Sequence, residues 1–366
     1  MKRLGFGCMR LPMAGDEVDL GRFQTMVDRY MAAGFRYFDT AHVYLEGKSE
    51  TALRAALVER YPREAFFLTD KLSGSQFSTE EQILPFFEKQ LSALGTDYVD
   101  MYLMHAMNEE VYGKFSRLRA FEQVAALKAA GRVRHMGISF HDRPEVLERI
   151  LTERPEIEAV QIQLNYADID SPSIRSGAVY EVCRRFGKPV LVMEPVKGGG
   201  LASLPPAAEA VLAGLGGGSP ASYAIRYAAS FEGVAMVLSG MSDEAQMEDN
   251  IRTMEDFRPL DEGERAAVEQ VRRILREENA IACTGCRYCA AGCPQSIPIP
   301  EIFACVNTKR RYADWGSDTY YNTCTARRGR ASDCVRCGRC ERICPQHLPI
   351  REYLQDAAKL FDGAGE

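Results

Sequence analysis

Four side chains have types and an order that suit carbonyl reduction: Asp39, Tyr44, Lys71 and His105. A neutral phenol, which titrates near pH 10, can hand a proton to an oxygen that is gaining charge. An ammonium beside it stabilises the phenolate left behind, and a carboxylate paired with that ammonium keeps it charged and in place. An imidazole can hydrogen-bond the carbonyl oxygen itself. Each type alone is more often structural or solvated; the ordered set is what points to a site. A second set is denser. Ten of the twelve cysteines fall between 283 and 344, and eight form two runs, Cys283-x2-Cys286-x2-Cys289-x3-Cys293-Pro294 and Cys334-x2-Cys337-x2-Cys340-x3-Cys344-Pro345. This spacing wraps thiolates around a cubane [4Fe–4S] cluster. Zinc is the rival, since C-x2-C pairs also bind it, but eight cysteines in a doubled run favour iron–sulfur. Cys305 and Cys324 lie outside both runs and read as buried small hydrophobes.

The elements that must position the first set are short apolar runs at 36–40, 66–71, 99–105, 134–139, 159–164, 189–194 and 234–239, with a weak eighth at 256–258. Runs such as Val190-Leu191-Val192-Met193 are apolar throughout, as strands covered on both faces must be. Amphipathic helical patterns separate them, for example at 50–60 and 121–130, where Gly131 supplies a stop. Strand–helix alternation of this kind over about 260 residues predicts an α/β fold, a (β/α)8 barrel. Asp39, Lys71 and His105 would end the first three strands, with Tyr44 in the loop after Asp39. A doubly wound open sheet is the alternative, but Gly5-Phe6-Gly7 opens no helix and no G-x-G-x-x-G follows the first strand. The cysteine distribution marks a boundary near 279, giving a barrel over 1–278 and a cysteine-rich domain over 279–366.

The chain has 366 residues, 46% hydrophobic and 26% charged, a globular composition. A net charge of −6 disfavours nucleic acid as partner. No apolar run spans a bilayer, and the start, basic but without an apolar core, does not read as a signal peptide. Twelve cysteines without disulfide logic, and no membrane partner, lead to the cytoplasm as the expected location, well reduced or anaerobic.

The motifs around the four residues resemble those of the aldo-keto reductase family. Phe38-Asp39-Thr40-Ala41-His42-Val43-Tyr44 with Ser49-Glu50 is similar to its opening signature, Thr69-Asp70-Lys71-Leu72 to its lysine motif, and the stretch from Asp97 to His105 to its histidine motif. The resemblance implies Tyr44 as general acid/base, tuned by Lys71, with Asp39 holding Lys71 and His105 orienting a small-molecule carbonyl substrate. It also implies an NADP or NAD cleft. Gly7, Cys8, Met9 and Asp39 would stand near the cofactor. Ser139 and Gln161 would bind the carboxamide, and Met193 takes the position of a stacking Tyr. Pro195, Val196 and Gly198 would lie over the pyrophosphate. Gly240, Ser242, Gln246 and Asn250 would form the adenosine end, Gln246 replacing the Arg of many NADPH-preferring members and leaving NADH or NADPH open. Phe140 replaces a frequent Asn. His42, His135 and His141 read as structural; Met9 and Arg10 read as closing the barrel near the cleft.

The cysteine runs resemble those of two-cluster ferredoxins, where the fourth cysteine of each run ligates the other cluster. That implies Cys283, Cys286, Cys289 and Cys344 on one cluster, and Cys334, Cys337, Cys340 and Cys293 on the second. The long connector, helical at 302–311, favours a small, mainly helical ferredoxin-like domain over the β-hairpin type. Arg310-Arg311 and Arg327-Arg328-x-Arg330 could dock a ferredoxin- or flavodoxin-type electron carrier, or simply balance the clusters' charge. A hydride carries two electrons and a cluster passes one. A flavin would bridge the two, but no flavin motif is visible, though a barrel mouth can hold one. The leading reading is a nicotinamide-dependent reductase carrying two electron-transfer clusters. The alternatives are a nicotinamide-binding redox or oxygen sensor, and an electron carrier with a non-catalytic barrel.

Overall fold

The computed structural model describes residues 1–277, 281–283, 285–312, 316–344 and 346–363. Eight parallel strands close into a barrel: β1 (Leu4–Gly7), β2 (Tyr37–Asp39), β3 (Phe67–Leu72), β4 (Val99–Met107), β5 (Val133–Phe140), β6 (Ala159–Gln163), β7 (Val190–Met193) and β8 (Val234–Gly240). The seven strong apolar runs are β2 to β8. The weak eighth is corrected: 256–258 is irregular, and β1 closes the ring, Leu4 opposite Val237 in β8 and Gly5 opposite Tyr37 in β2. Asp39, Lys71 and His105 therefore sit on the second, third and fourth strands. The two glycines that disguise β1 are there for space. A Cβ on Gly5 would lie 2.5 Å from Leu238 Cδ2, and a close approach of this kind is where a strand keeps glycine.

The barrel is filled, not hollow. Tyr37, Met101, Leu103, Ala159, Leu191, Met236 and Leu238 form an inner cluster, as side chains from alternate strands do in such barrels. A larger layer, from Leu4 to Met254, packs the strands' outer faces against the helices. Gly137 in β5 lets β6 approach, since a Cβ there would meet the Ala159 carbonyl at 2.5 Å. No helix of the described residues is long and apolar enough to cross a membrane.

The C-terminal region is helical: Tyr288–Ala291, Ile299–Tyr312, Gly316–Thr325, Arg339–Arg342 and Ile350–Phe361. The expected boundary near 279 falls outside the described residues, as does Pro345. The sequence repeat is also a backbone repeat. Non-glycine or glycine residues with positive φ recur 51 positions apart, Gly285 with Arg336, Arg287 with Gly338, and Ser296 with His347. The turn after each fourth cysteine repeats too: Ser296 N donates to Cys293 O and His347 N to Cys344 O, both at 3.1 Å. The module's own core includes Ile302, Phe303, Val306, Tyr321 and Leu354, and takes in Ile174 from the barrel's β6 loop.

Candidate active site and cysteine cavities

β2, β3 and β4 are neighbours in the barrel, so their C-terminal ends bring Asp39, Lys71 and His105 to one rim. Lys71 is fully buried and donates to Asp39 Oδ1 at 2.5 Å and to the Thr40 carbonyl at 2.7 Å. Burial works to strip its proton, but Asp39 and Tyr44 outweigh it and hold Lys71 above its ordinary value. Tyr44 lies over this ammonium, its ring centroid 4.8 Å from Nζ. Burial raises the phenol's pKa, Lys71 pulls it down and Asp39 raises it, for a net rise. The phenol is therefore loaded with its proton at neutral pH. His105 stands across from it, ring centroids 6.0 Å apart. Burial, then the charges of Lys71 and His141, push the imidazole well below its usual range, so it is neutral. Its Nδ1 is 2.7 Å from Ser73 Oγ. A hydroxyl donating there leaves Nε2 as the protonated nitrogen.

Behind β3 two buried carboxyls brace this strand. Asp70 accepts from the Lys71 backbone N–H at 2.8 Å, and Gln90 Nε2 donates to Asp70 at 2.9 Å and to Glu50 at 3.3 Å. Glu50 is pushed up to about 7, chiefly by burial, and His42 meets its other oxygen at 2.7 Å.

The rim opens into a cavity of about 770 Å3. Tyr44, His105, Asp39 and Gln161 line one end, and Gly240, Ser242, Gln246 and Asn250 the other. Gly7, Met9, Met193, Pro195, Val196 and Gly198 line the stretch between. Two of the residues expected near a cofactor are not brought to the cavity wall. Cys8 is buried, with Sγ 3.6 Å from the Phe6 carbonyl, and burial raises its thiol strongly. Ser139 turns its hydroxyl to the Ala106 N–H at 2.7 Å. Gln161 lines the cavity but donates to Asp39 Oδ2 at 3.0 Å. The far end is shaped by the helix Glu244–Glu255. Asp243 caps it by accepting from Gln246 N, and Gln246 Oε1 accepts from Ser242 N at 2.9 Å.

Sequence reasoning missed three groups here. His141, read as structural, lines the cavity one residue beyond β5; that place at a strand end was the available signal. Tyr320, from the cysteine module, lines it too, with no local signal. Gln163 in β6 also faces it, and its Oε1 is buried with no hydrogen-bond partner among the described residues. An acceptor left unpaired at a cavity wall fits a bound amide such as a nicotinamide carboxamide.

The cysteines ring two further cavities. Cys283, Cys286, Cys289 and Cys344 line one, and Cys293, Cys334, Cys337 and Cys340 the other. This is the crossed partition the resemblance implied. All twelve cysteines are free thiols. Among the described residues no three His, Cys, Asp or Glu side chains converge closely enough for a single ion. Four thiols spread round a space suit a cubane better than tetrahedral zinc, which draws its ligands to one point. Arg287 borders the first cavity and Arg336, Arg339 and Arg351 the second, cations beside a site for an anionic cluster. The two arginine runs considered for docking have partners within the chain: Arg310 with Asp356, Arg327 with Glu109, Arg328 with Glu301 and Arg330 with Asp362. Cys305 is buried, as expected; Cys324 is partly so, and Sγ meets the Tyr321 carbonyl at 3.3 Å.

The chain is 32% identical over 192 residues to an aldo-keto reductase of Mycolicibacterium smegmatis, a match covering 49% of this chain and 67% of that protein. It is 29% identical over 177 residues to an NADPH-dependent alpha-keto amide reductase of Saccharomyces cerevisiae, 46% of this chain but only 54% of the relative. The holo form of an aldo-keto reductase from Bacillus halodurans superposes with a TM-score of 0.59 at 26% identity, covering 74% of this chain and 91% of that one. A Klebsiella pneumoniae aldo-keto reductase in complex with NADPH gives 0.59 at 19% identity, with 74% and 90% coverage, a likeness of fold. The 4Fe-4S dicluster domain model matches residues 282–349. Since the aldo/keto reductase model matches residues 3–273, most of its length, the chain belongs to the aldo/keto reductase family.

Proposed function

We propose that this protein is an NAD(P)H-dependent carbonyl reductase whose barrel, 1–278, carries a two-cluster module, 279–366. The observation that carries the reading is the buried Lys71–Asp39 pair beneath Tyr44, with His105 across from it at the same barrel rim. A nicotinamide bound in the cavity would supply the hydride. The chain's own groups handle the proton. His105 Nε2–H orients the substrate carbonyl oxygen, and Tyr44 gives it a proton as charge builds there. Lys71, fixed by Asp39, stabilises the phenolate that remains. Gln161, Gln163 and the Pro195–Gly198 turn would hold the cofactor, and the asparagine and glutamine at 250 and 246 would hold its adenosine end. The two thiol cavities would each take a [4Fe–4S] cluster, which supplies one-electron steps and suits exchange with a ferredoxin- or flavodoxin-type carrier.

The test is Tyr44→Phe in protein purified without oxygen, assayed with NADPH and p-nitrobenzaldehyde. The expected kcat falls about 10²–10⁴-fold while iron and sulfide contents stay at the parent's values. An unchanged rate removes Tyr44 as the proton donor. Titrating NADPH and NADH while following cluster absorbance tests the electron link. Bleaching by either supports exchange with the barrel; turnover without bleaching shows that the clusters stand aside.

A further inference from the structure

The cavity that holds the rim of reactive groups is not walled by the barrel alone. Gly316, Thr319 and Tyr320, all on the module's helix Gly316–Thr325, line it as well. Tyr320 faces a barrel histidine at the cavity wall. Its hydroxyl is 3.4 Å from His141 Nδ1, and the two rings stand 6.0 Å apart. His141 follows β5 directly, and its backbone N–H donates to the Met107 carbonyl of β4 at 2.9 Å. His141 and His105 both line the cavity. Tyr320, His141 and His105 thus run in sequence from the module to the place where a carbonyl would bind.

The helix is held in this position by contacts that do not depend on the cavity. Tyr312, just ahead of the helix, packs on Gly200, where any Cβ would collide with its ring, and lies 5.2 Å from Lys197 Nζ. At the other end Arg327 pairs with Glu109 at 3.0 Å. Ile174 of the barrel is part of the module's core, and Gly285 closes on Pro172. Tyr320 itself is 6% exposed. A ring that is buried and anchored on both sides offers a fixed face to a ligand at little entropic cost.

We infer that Tyr320, with His141, is the positioning and specificity element of this reductase: the iron–sulfur module supplies the substrate wall, and that wall selects carbonyl compounds bearing an aryl group. The inference rests on the proposed reductase reading. The Tyr320 ring gives an apolar face for the aryl group. Burial holds His141 near a pKa of about 4, so its imidazole is neutral. With the phenol donating to Nδ1, Nε2–H remains to meet a polar substituent. An aliphatic aldehyde too short to reach the wall gains nothing from either group.

The test compares Tyr320→Ala, Tyr320→Phe and His141→Gln with the parent on p-nitrobenzaldehyde and propionaldehyde, in full-length protein with iron and sulfide counted. Tyr320→Ala is expected to raise KM for the aryl aldehyde about tenfold, with kcat within about twofold and propionaldehyde kinetics and the NADPH Kd unchanged. Tyr320→Phe should restore most of the selectivity, because it keeps the ring. The same contrast is read without turnover by quenching of bound NADPH fluorescence with p-nitrobenzaldehyde. If the parent turns over neither aldehyde yet Tyr320→Ala weakens quenching about tenfold, the reductase reading fails and the wall stands. If the parent is active and Tyr320→Ala, with full iron, keeps the parent's aryl preference, the inference is overturned. If Tyr320→Ala instead loses iron and both activities in proportion, His141→Gln decides: with full iron it should lose part of the aryl preference, and a preference equal to the parent's also overturns the inference.

Discussion

The barrel rim and the cysteine module place their reactive groups by opposite means. At the rim, Asp39, Lys71 and His105 come from three strands and meet only when those strands pair. Their partners are other protein groups, so the arrangement supports itself. In the module, three of each cavity's thiols come from seven consecutive residues, aimed by left-handed turns that recur at fixed spacing. Their proposed common partner is a metal cluster, in line with the 4Fe-4S dicluster match. The difference teaches which half depends on what. The rim should keep its geometry without iron, and the module's binding free energy for its clusters should be folding free energy.

The largest expected effect breaks the module and spares the rim. Cys340→Ser should lower iron from about eight to about four or fewer atoms per chain, while bound NADPH still fluoresces in the barrel. Iron that stays at the parent's level would remove Cys340 from the ligand set. Next, Lys71→Met strands the Asp39 carboxylate in a buried site, at an expected cost of about 3–5 kcal/mol in denaturant unfolding of the barrel. Adding Asp39→Asn should recover most of it. A cost under about 1 kcal/mol would mean the rim is not self-supporting.

Two smaller effects sharpen the comparison through pH. His141 is held by burial at about 4 against 6.5 when unfolded. The unfolded chain therefore binds the proton first. Stability is fully present above 6.5 and falls as pH drops toward 4, by up to about 1.4 kcal/mol per pH unit. His105 acts in the same sense. His141→Gln should flatten that slope, and an unchanged slope would exclude His141 as its source. Glu50 has the opposite sign. Its folded value of about 7 lies above the usual 4.5, so its contribution is present below 4.5 and lost as pH rises through 7. Glu50→Gln should therefore gain about 3 kcal/mol at pH 8 relative to the parent and nothing at pH 4. Equal differences at both pH values would assign the effect to packing.

How much of this was legible depended on distance along the chain. The cysteine triples could be read because spacing within a run is local, whereas the crossing of each fourth cysteine came from the resemblance to two-cluster ferredoxins. Seven strands could be read because a strand covered on both faces must be apolar throughout. β1 was lost because Gly5 and Gly7, required by crowding against Leu238 and β8, look like turn residues. The rim was legible as ordered motifs, but the true engagements of Cys8 and Ser139 were not, since their partners are backbone groups. Tyr320 and His141 lie 179 residues apart, and no pattern in either segment announces the other. Only the docking of one domain on the other brings them together.

The crossed cavities carry a consequence for how the molecule is made. Each ring of four sulfurs draws on both halves of the repeat, so an emerging polypeptide that has released Cys293 from the ribosome still cannot complete either ring. Cys344 must arrive before the ring begun at Cys283 can close. On the proposed ligation, metal delivery waits until Cys344 has emerged, by which point the barrel upstream has had time to form.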